Sequence, residues 1–206
     1  SDRDVFLREL ISNSSDALDK LRYEAIAQPD LLEKDAKLEI TITPDKTAKT
    51  LTLTDSGIGM SAKELTENLG TIARSGTQKF AEKAKDAPQL IGQFGVGFYS
   101  AFMVAREVEV YSRKAGAKAC NVWRSKGEGT FTVDEANDLP RGTRIVLHLR
   151  DDAEDYLEAW KIEQVVKTYS DHITHPIMLA GEGEPRQVNS ASALWMKPKS
   201  EVTADQ

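Results

Sequence analysis

The sequence has a single cysteine, Cys120, so no disulfide can form within the chain, which fits a reducing compartment. It has no basic excess: 27 Lys and Arg against 33 Asp and Glu give a formal charge of −6, the wrong sign for a free nucleic-acid-binding domain. No apolar run approaches the roughly 18 residues of a membrane span, and no signal-peptide pattern is present. Internal repeats and low-complexity tracts are absent too. The chain opens Ser-Asp-Arg-Asp without a methionine and is read as a piece of a longer protein, so a targeting signal could lie elsewhere. What is present is an ordinary globular balance, 40% hydrophobic and 29% charged over 206 residues. That length suits one large domain, or one domain plus a tail, with a core that needs no staples.

Phe6, Leu7, Leu10, Ile11, Ala17, Leu18 and Leu21 recur at helical spacing and predict a helix over 4–26 with one apolar arc. At about 100° per residue, Glu9, Asn13 and Asp16 share a strip bordering that arc. Leu38, Ile40 and Ile42 alternate with polar residues, Pro44-Asp45-Lys46 turns the chain, and Leu51 and Leu53 alternate again, which predicts an antiparallel hairpin. A short helix follows over 62–69 with Ser61 as N-cap. Glycines at 70, 76, 92, 95 and 97 around a polar, alanine-rich middle predict a mobile, lid-like segment over 70–97. A helix is expected from Gly97 through Met103. Strands are expected near 107–112, 119–125, 129–134 and 143–149, and a helix over 156–173. The order predicts an α+β two-layer sandwich with helices on one face of a mainly antiparallel mixed sheet. A polar stretch from Gly181 reads as a linker, dividing the chain into 1–180 and 181–206.

Four constellations carry chemistry. Glu9 and Asn13 lie four apart on one helix face. The carboxylate suits orienting and deprotonating a water, and the amide oxygen suits Mg²⁺, which takes few protein ligands. The same pair also fits a plain solvated face. Asp55-Ser-Gly-Ile-Gly-Met60 follows a strand at once. A carboxylate there can accept from an exocyclic amine such as adenine N6, where guanine presents a carbonyl. Gly57 and Gly59 let backbone approach a flat ring, and Met60 can lie on its face. A simple Asp-Ser-Gly turn is the competing reading. Gly92-Gln-Phe-Gly-Val-Gly-Phe98 before a helix suits phosphates passing over backbone amides. It is not a Walker loop, because no Lys-Ser or Lys-Thr follows, and it lacks the third glycine of a dinucleotide fingerprint. A flexible hinge would look the same. In Leu69-Gly-Thr-Ile-Ala-Arg-Ser-Gly-Thr77, Arg74, Ser75 and Thr77 can meet phosphate when the segment closes, or line an ordinary surface loop.

The order of these motifs resembles that of the GHKL ATPases, which include gyrase-type topoisomerases, MutL-like repair proteins, sensor histidine kinases and the ninety-kilodalton heat-shock chaperones. Phe6-Leu-Arg-Glu-Leu-Ile-Ser-Asn-Ser-Ser-Asp-Ala-Leu-Asp-Lys20, Asp55–Met60, Leu69–Thr77 and Ile91-Gly-Gln-Phe-Gly-Val-Gly-Phe-Tyr-Ser100 resemble the signatures of the heat-shock chaperones. The resemblance implies Glu9 as general base, Asn13 at Mg²⁺, Asp16 beside them in the cofactor site and Asp55 at adenine N6. It places Gly59, Met60 and Thr143 around the base and Asn68 near the ribose and α-phosphate. Arg74 and the backbone of Gly95, Val96, Gly97 and Phe98 meet the phosphates. Arg74 stands where many relatives carry Lys; it keeps the charge but has a different fork geometry.

The resemblance further implies ATP and ADP as ligands, slow ATP hydrolysis, unfolded or partly folded client proteins bound through other domains, and a homodimer in the whole protein, with this piece monomeric. Nucleic acid and membrane are not expected partners. Relatives carry a further strand and helix before the first signature, and a middle-domain arginine that reaches the γ-phosphate. Val188–Met196 resembles the start of that middle domain. The short linker before it points to the bacterial, HtpG-type branch and a bacterial cytoplasm, with a mitochondrial relative second. The alternative is another GHKL machine: a topoisomerase, a MutL-like repair protein or a histidine kinase. A kinase would need a phospho-acceptor, and His148, His172 and His175 read as structural. A binding module with a dead ATP site is a third reading, against which Glu9 argues.

Overall fold

A computed structural model describes residues 2–34, 37–74, 96–181 and 183–190. After a 3₁₀ turn at Asp2–Asp4, helix α1 runs Val5–Ala27. It buries Phe6, Leu7, Leu10, Ile11, Leu18 and Leu21 at three- and four-residue intervals. Ser14 and Ser15 also lie on the buried stripe, where the sequence pattern placed Ala17. The 3₁₀ turn Pro29–Leu32 follows.

The strands are β1 Ile40–Asp45, β2 Thr50–Asp55, β3 Ala105–Arg113, β4 Cys120–Ser125, β5 Thr132–Ala136, β6 Gly142–Leu149, β7 Ile177–Leu179 and β8 Arg186–Gln187. They form one eight-stranded sheet in the order β5-β4-β3-β6-β2-β1-β7-β8. Every pairing is antiparallel except β1 with β7, where Ile40 lies opposite Ile177. Among the described residues, helices α2 (Ala62–Arg74), α3 (Val96–Tyr99) and α4 (Ala159–Tyr169) cover this sheet together with α1. The expected α+β sandwich of a mixed, mainly antiparallel sheet with helices on one face is what forms.

Alternation puts Leu51, Leu53, Val108, Val110, Ile145 and Leu147 under the helices in one core with α1. A bulge between Ala105 and Glu107 resets β3, so that Ala105 and Val108 both point inward although three residues apart. The opposite face is polar. There Glu109 accepts from His148 Nε2 at 2.7 Å, Arg124 Nε at 2.8 Å and the Tyr111 hydroxyl at 2.8 Å. Burial alone would raise the Glu109 carboxyl, but these bonds outweigh it and hold it down to about 2.

Several expected boundaries move. The first turn lies past Pro44, which is still in β1 opposite Leu51; Asp45 Oδ1 closes the turn by accepting from the amides of Thr47 and Ala48, both at 3.0 Å. Helix α2 does not stop at 69 but continues through Gly70, where a Cβ would come within 2.6 Å of the Phe131 ring. Gly70 is therefore a packing glycine inside a helix rather than a hinge. The rest of the expected lid, 75–95, lies outside the described residues, and with it Ser75, Thr77 and Gly95. Strand β5 starts three residues late because Gly127 and Gly129, at φ of 73° and 87°, prolong the turn. The last helix is split: a 3₁₀ stretch Asp151–Leu157 precedes α4, which ends at Tyr169 because Ser170 leaves the helical region at φ −133°.

The stretch read as a linker is also partly built into the sheet. Met178 pairs with Gln187 and Leu179 with Arg186. The Asn189 side chain accepts from the Ile177 amide at 2.8 Å and donates to the Ile173 and His175 carbonyls at 2.9 and 3.0 Å. Two residues of edge strand are too few to show as alternation, so composition alone read them as loop.

Candidate functional site

Strands β2 and β6 end side by side, with Asp55 opposite Thr143. Beyond them the chain turns through Ser56–Met60 and meets α1. Between sheet, turn and helices lies a cavity of about 510 Å³, a size typical of small-molecule sites. Asn13, Ser14 and Ala17 of α1 form one wall. Asp55, Val110, Thr143 and Ile145 form the floor, Ile58, Gly59 and Met60 the turn, and Asn68, Leu69 and Phe98 the far side.

The turn is held on every side. The Ile58 amide donates to the Ala17 carbonyl at 3.0 Å, and a Cβ on Gly57 would lie 2.7 Å from Ala17 backbone, so glycine lets the turn press against α1. The Ala115 amide donates to the Ile58 carbonyl at 2.8 Å. Gly59 has φ of +71°, and a Cβ there would lie 2.1 Å from the Arg113 carbonyl oxygen. The Met60 amide donates to Ser112 Oγ at 2.8 Å, and that hydroxyl also bonds Thr143 Oγ1 at 2.9 Å. Ser61 and Glu64 then form a reciprocal capping box that starts α2, with Ser61 Oγ taking the Glu64 amide at 3.2 Å and Glu64 Oε1 the Ser61 amide at 3.1 Å.

Asp55 is 5% exposed. Burial pushes its carboxyl up to about 7, against donors from the Gly57 amide, the Ser14 hydroxyl and the Thr143 amide and against the positive charge of Arg141. The Gly57 bond is 2.8 Å. A buried carboxyl poised near neutrality at the floor of a mainly apolar cavity can, when ionised, accept from a donor placed above it.

Of the residues singled out in the sequence, Asn13, Asp55, Gly59, Met60, Asn68, Phe98 and Thr143 line the cavity. Gly97 is buried beside it at the start of α3, and Val96 opens that helix. Arg74 is the last residue of α2. Glu9 lies on α1 one turn before Asn13 and outside the cavity lining; its carboxylate accepts from Arg8 at 3.0 Å. Asp16 also lies outside the lining and is exposed. Its carboxyl is raised by partial desolvation and then by the negative charge of Asp19. Sequence reasoning missed Ser14, Ile58 and Ser112. Ser14 carried a signal, because a polar residue on an apolar helical stripe needs a partner. Ser112 gave none, since its role depends on the register of β3 against β6.

Among the described residues no three His, Cys, Asp or Glu side chains cluster to hold a metal. The single amide oxygen of Asn13 at the cavity wall fits an ion that arrives with a polyphosphate and keeps most of its waters.

The sequence profile described as histidine kinase-, DNA gyrase B- and HSP90-like ATPase matches residues 4–135. The chain belongs to this ATPase family. Its matched stretch carries α1, the Asp55 turn and Phe98, so the cavity is built mainly from family elements, with Thr143 and Ile145 added from β6. Among curated relatives, a protein named chaperone protein HtpG from Rhodospirillum rubrum is 56% identical over all of this chain and 34% of its own length. Proteins of the same name from Alcanivorax borkumensis and Bordetella avium are 54% and 49% identical, again over the whole chain and 35% of their own lengths. The chain thus spans about a third of the length of the relatives it matches. No helix among the described residues is long and apolar enough to cross a membrane.

Proposed function

We propose that this chain is the nucleotide-binding part of an HtpG-type molecular chaperone, that it takes ATP or ADP with Mg²⁺ in the cavity above Asp55, and that the whole protein hydrolyses ATP slowly while acting on unfolded clients. The carrying observation is the buried Asp55 carboxyl at the base of a 510 Å³ cavity whose turn is fixed to α1 and β3. Its identity across whole-chain matches to chaperones of that name supports the chaperone reading over a topoisomerase, repair ATPase or histidine kinase.

In this reading Asp55 accepts from adenine N6 while Gly59, Met60 and Thr143 enclose the ring. Asn68 serves the ribose side, and Arg74 with residues 95–98 serves the phosphates. Asn13 would hold Mg²⁺, which neutralises phosphate charge when bound. Glu9 orients the attacking water and takes its proton, after its carboxylate is released from Arg8. Asp16 supports that polar edge of α1. The whole protein is a homodimer in the bacterial cytoplasm, with neither nucleic acid nor membrane as partner. Calorimetric titration with ADP, ATP and GDP tests the reading. Binding of the adenine nucleotides is expected, weakened about 10- to 150-fold in Asp55→Asn. Equal affinity for GDP, or an unaffected Asp55→Asn, would remove Asp55 from base recognition.

A further inference from the structure

Arg141 does not line the cavity, yet its side chain is 1% exposed. Burying a guanidinium is costly unless its donors are used. Its Nε donates to the Ser56 carbonyl at 2.9 Å, and its Nη1 to the Leu32 carbonyl at 2.6 Å and the Leu31 carbonyl at 3.3 Å. Its ion partner, Glu33, is 3.7 Å away and is shared with Arg113 at 2.8 Å. Nη2 has no acceptor among the described residues. One rigid fork therefore joins the residue after Asp55 to the 3₁₀ turn that follows α1. The next two residues, Gly142 and Thr143, open β6 and run against Asp55. A Cβ on Gly142 would sit 2.0 Å from the Asp55 carbonyl oxygen, and Thr143 pairs with Asp55 in the sheet. The Asp55 backbone is thus held along one edge by the segment that follows Arg141, with Ile40 of β1 on its other edge. The positive charge of Arg141 also acts on the Asp55 carboxylate.

We propose that Arg141 is a positioning residue for base recognition: by tying Ser56 to Leu31 and Leu32, its guanidinium fixes the direction in which Asp55 presents its carboxylate to an exocyclic amine. The inference rests on the reading of the cavity as an adenine site. A residue that only stabilised the fold would, when replaced, weaken all ligands by one factor through loss of folded protein. A residue that aims Asp55 changes the preference between bases, because a misdirected carboxylate stops favouring an amine over a carbonyl.

The test uses wild type, Arg141→Met and Arg141→Lys, with ADP and GDP affinities measured by calorimetry or by competition. Wild type preferring ADP upholds the adenine reading; no preference in wild type sinks that reading itself, separately from Arg141. Given that preference, Arg141→Met is expected to lose about tenfold or more in ADP affinity and less for GDP, narrowing the ratio. Arg141→Lys keeps the charge but not the fork and should recover only part. Amide exchange at Gly57–Met60 should quicken in Arg141→Lys without a matching change in β3 or β6. If Arg141→Met does not fold, the Arg141→Lys ratio and exchange decide. An unchanged ADP-to-GDP ratio, or unchanged exchange in the turn, would overturn the proposal.

Discussion

Lowering the pH from 8 to 6 is expected to weaken adenosine binding about tenfold, and the size follows from one carboxyl. Burial sets Asp55 near 7, while a ligand amine that donates to the carboxylate favours the ionised form and lowers that value on binding. Binding therefore releases a proton at low pH, and affinity rises with pH until Asp55 is already ionised. With a value of about 7, the ionised fraction falls from about nine-tenths at pH 8 to about one-tenth at pH 6, costing about 1.4 kcal/mol. Adenosine is the ligand of choice because a terminal phosphate, with a second pKa of about 6, would titrate in the same window. The assay is calorimetry at several pH values in two buffers of different ionisation enthalpy, which counts the protons released. Burial and then the charge of Asp19 also raise the Asp16 carboxyl, so Asp16→Asn is the control and should keep the slope. Flat affinity from pH 6 to 8 would refute the reasoning, and affinity rising toward acid would mean that the protonated acid is the binding form. The same shift has a stability sign: Asp55 is raised when folded, so the unliganded protein loses stability as pH climbs from about 4 to about 7.

In the whole protein Glu9→Ala should retain ATP binding while turnover falls about 10²–10⁴-fold, and equal losses in both would recast Glu9 as a pocket-shaping residue. Gly59→Ala must leave φ +71° or clash with the Arg113 carbonyl; strain of about 1–3 kcal/mol or more should weaken ADP binding along with the melting temperature, and unchanged calorimetry would deny the turn its rigidity. Glu109→Gln should lower the Tm at pH 7 by about 3–12 °C. Because the folded Glu109 carboxyl is held near 2, its contribution is full above the unfolded value and fades as pH falls toward 2, so the gap between variant and wild type should close in acid; a gap independent of pH would assign the loss to packing.

What the sequence disclosed depended on the range of the interactions. Period and turn residues located α1 and the first hairpin because each is fixed by neighbours a few residues away. The Asp55 turn was legible for the same reason: its glycines satisfy a local backbone requirement, and Asp55 binds the Gly57 amide two residues on. Gly70 misled because a glycine inside a helix can be explained only by Phe131, which arrives from the distant β4–β5 region. Ser112 and Arg141 could not be singled out at all. One is defined by strand register and the other by carbonyls far away in the chain.

The parallel pairing of β1 with β7, the one such pair among the described strands, has a bearing on how the chain acquires its shape. Strand β1 meets its antiparallel neighbour β2 within a few residues, but its other edge waits for β7, 137 residues on from Ile40 to Ile177. Until Ile177–Leu179 has emerged and crossed back, the β1 side of Ile40–Ile42 is an uncovered strand edge next to apolar side chains. Contacts of such sequence separation form late, since loop closure must precede any gain from them. A nascent chain halted before residue 177 would present that edge to other copies and be prone to aggregate. Asn189, which clasps the turn leading into β7, can hold that edge only once this distant segment is in place.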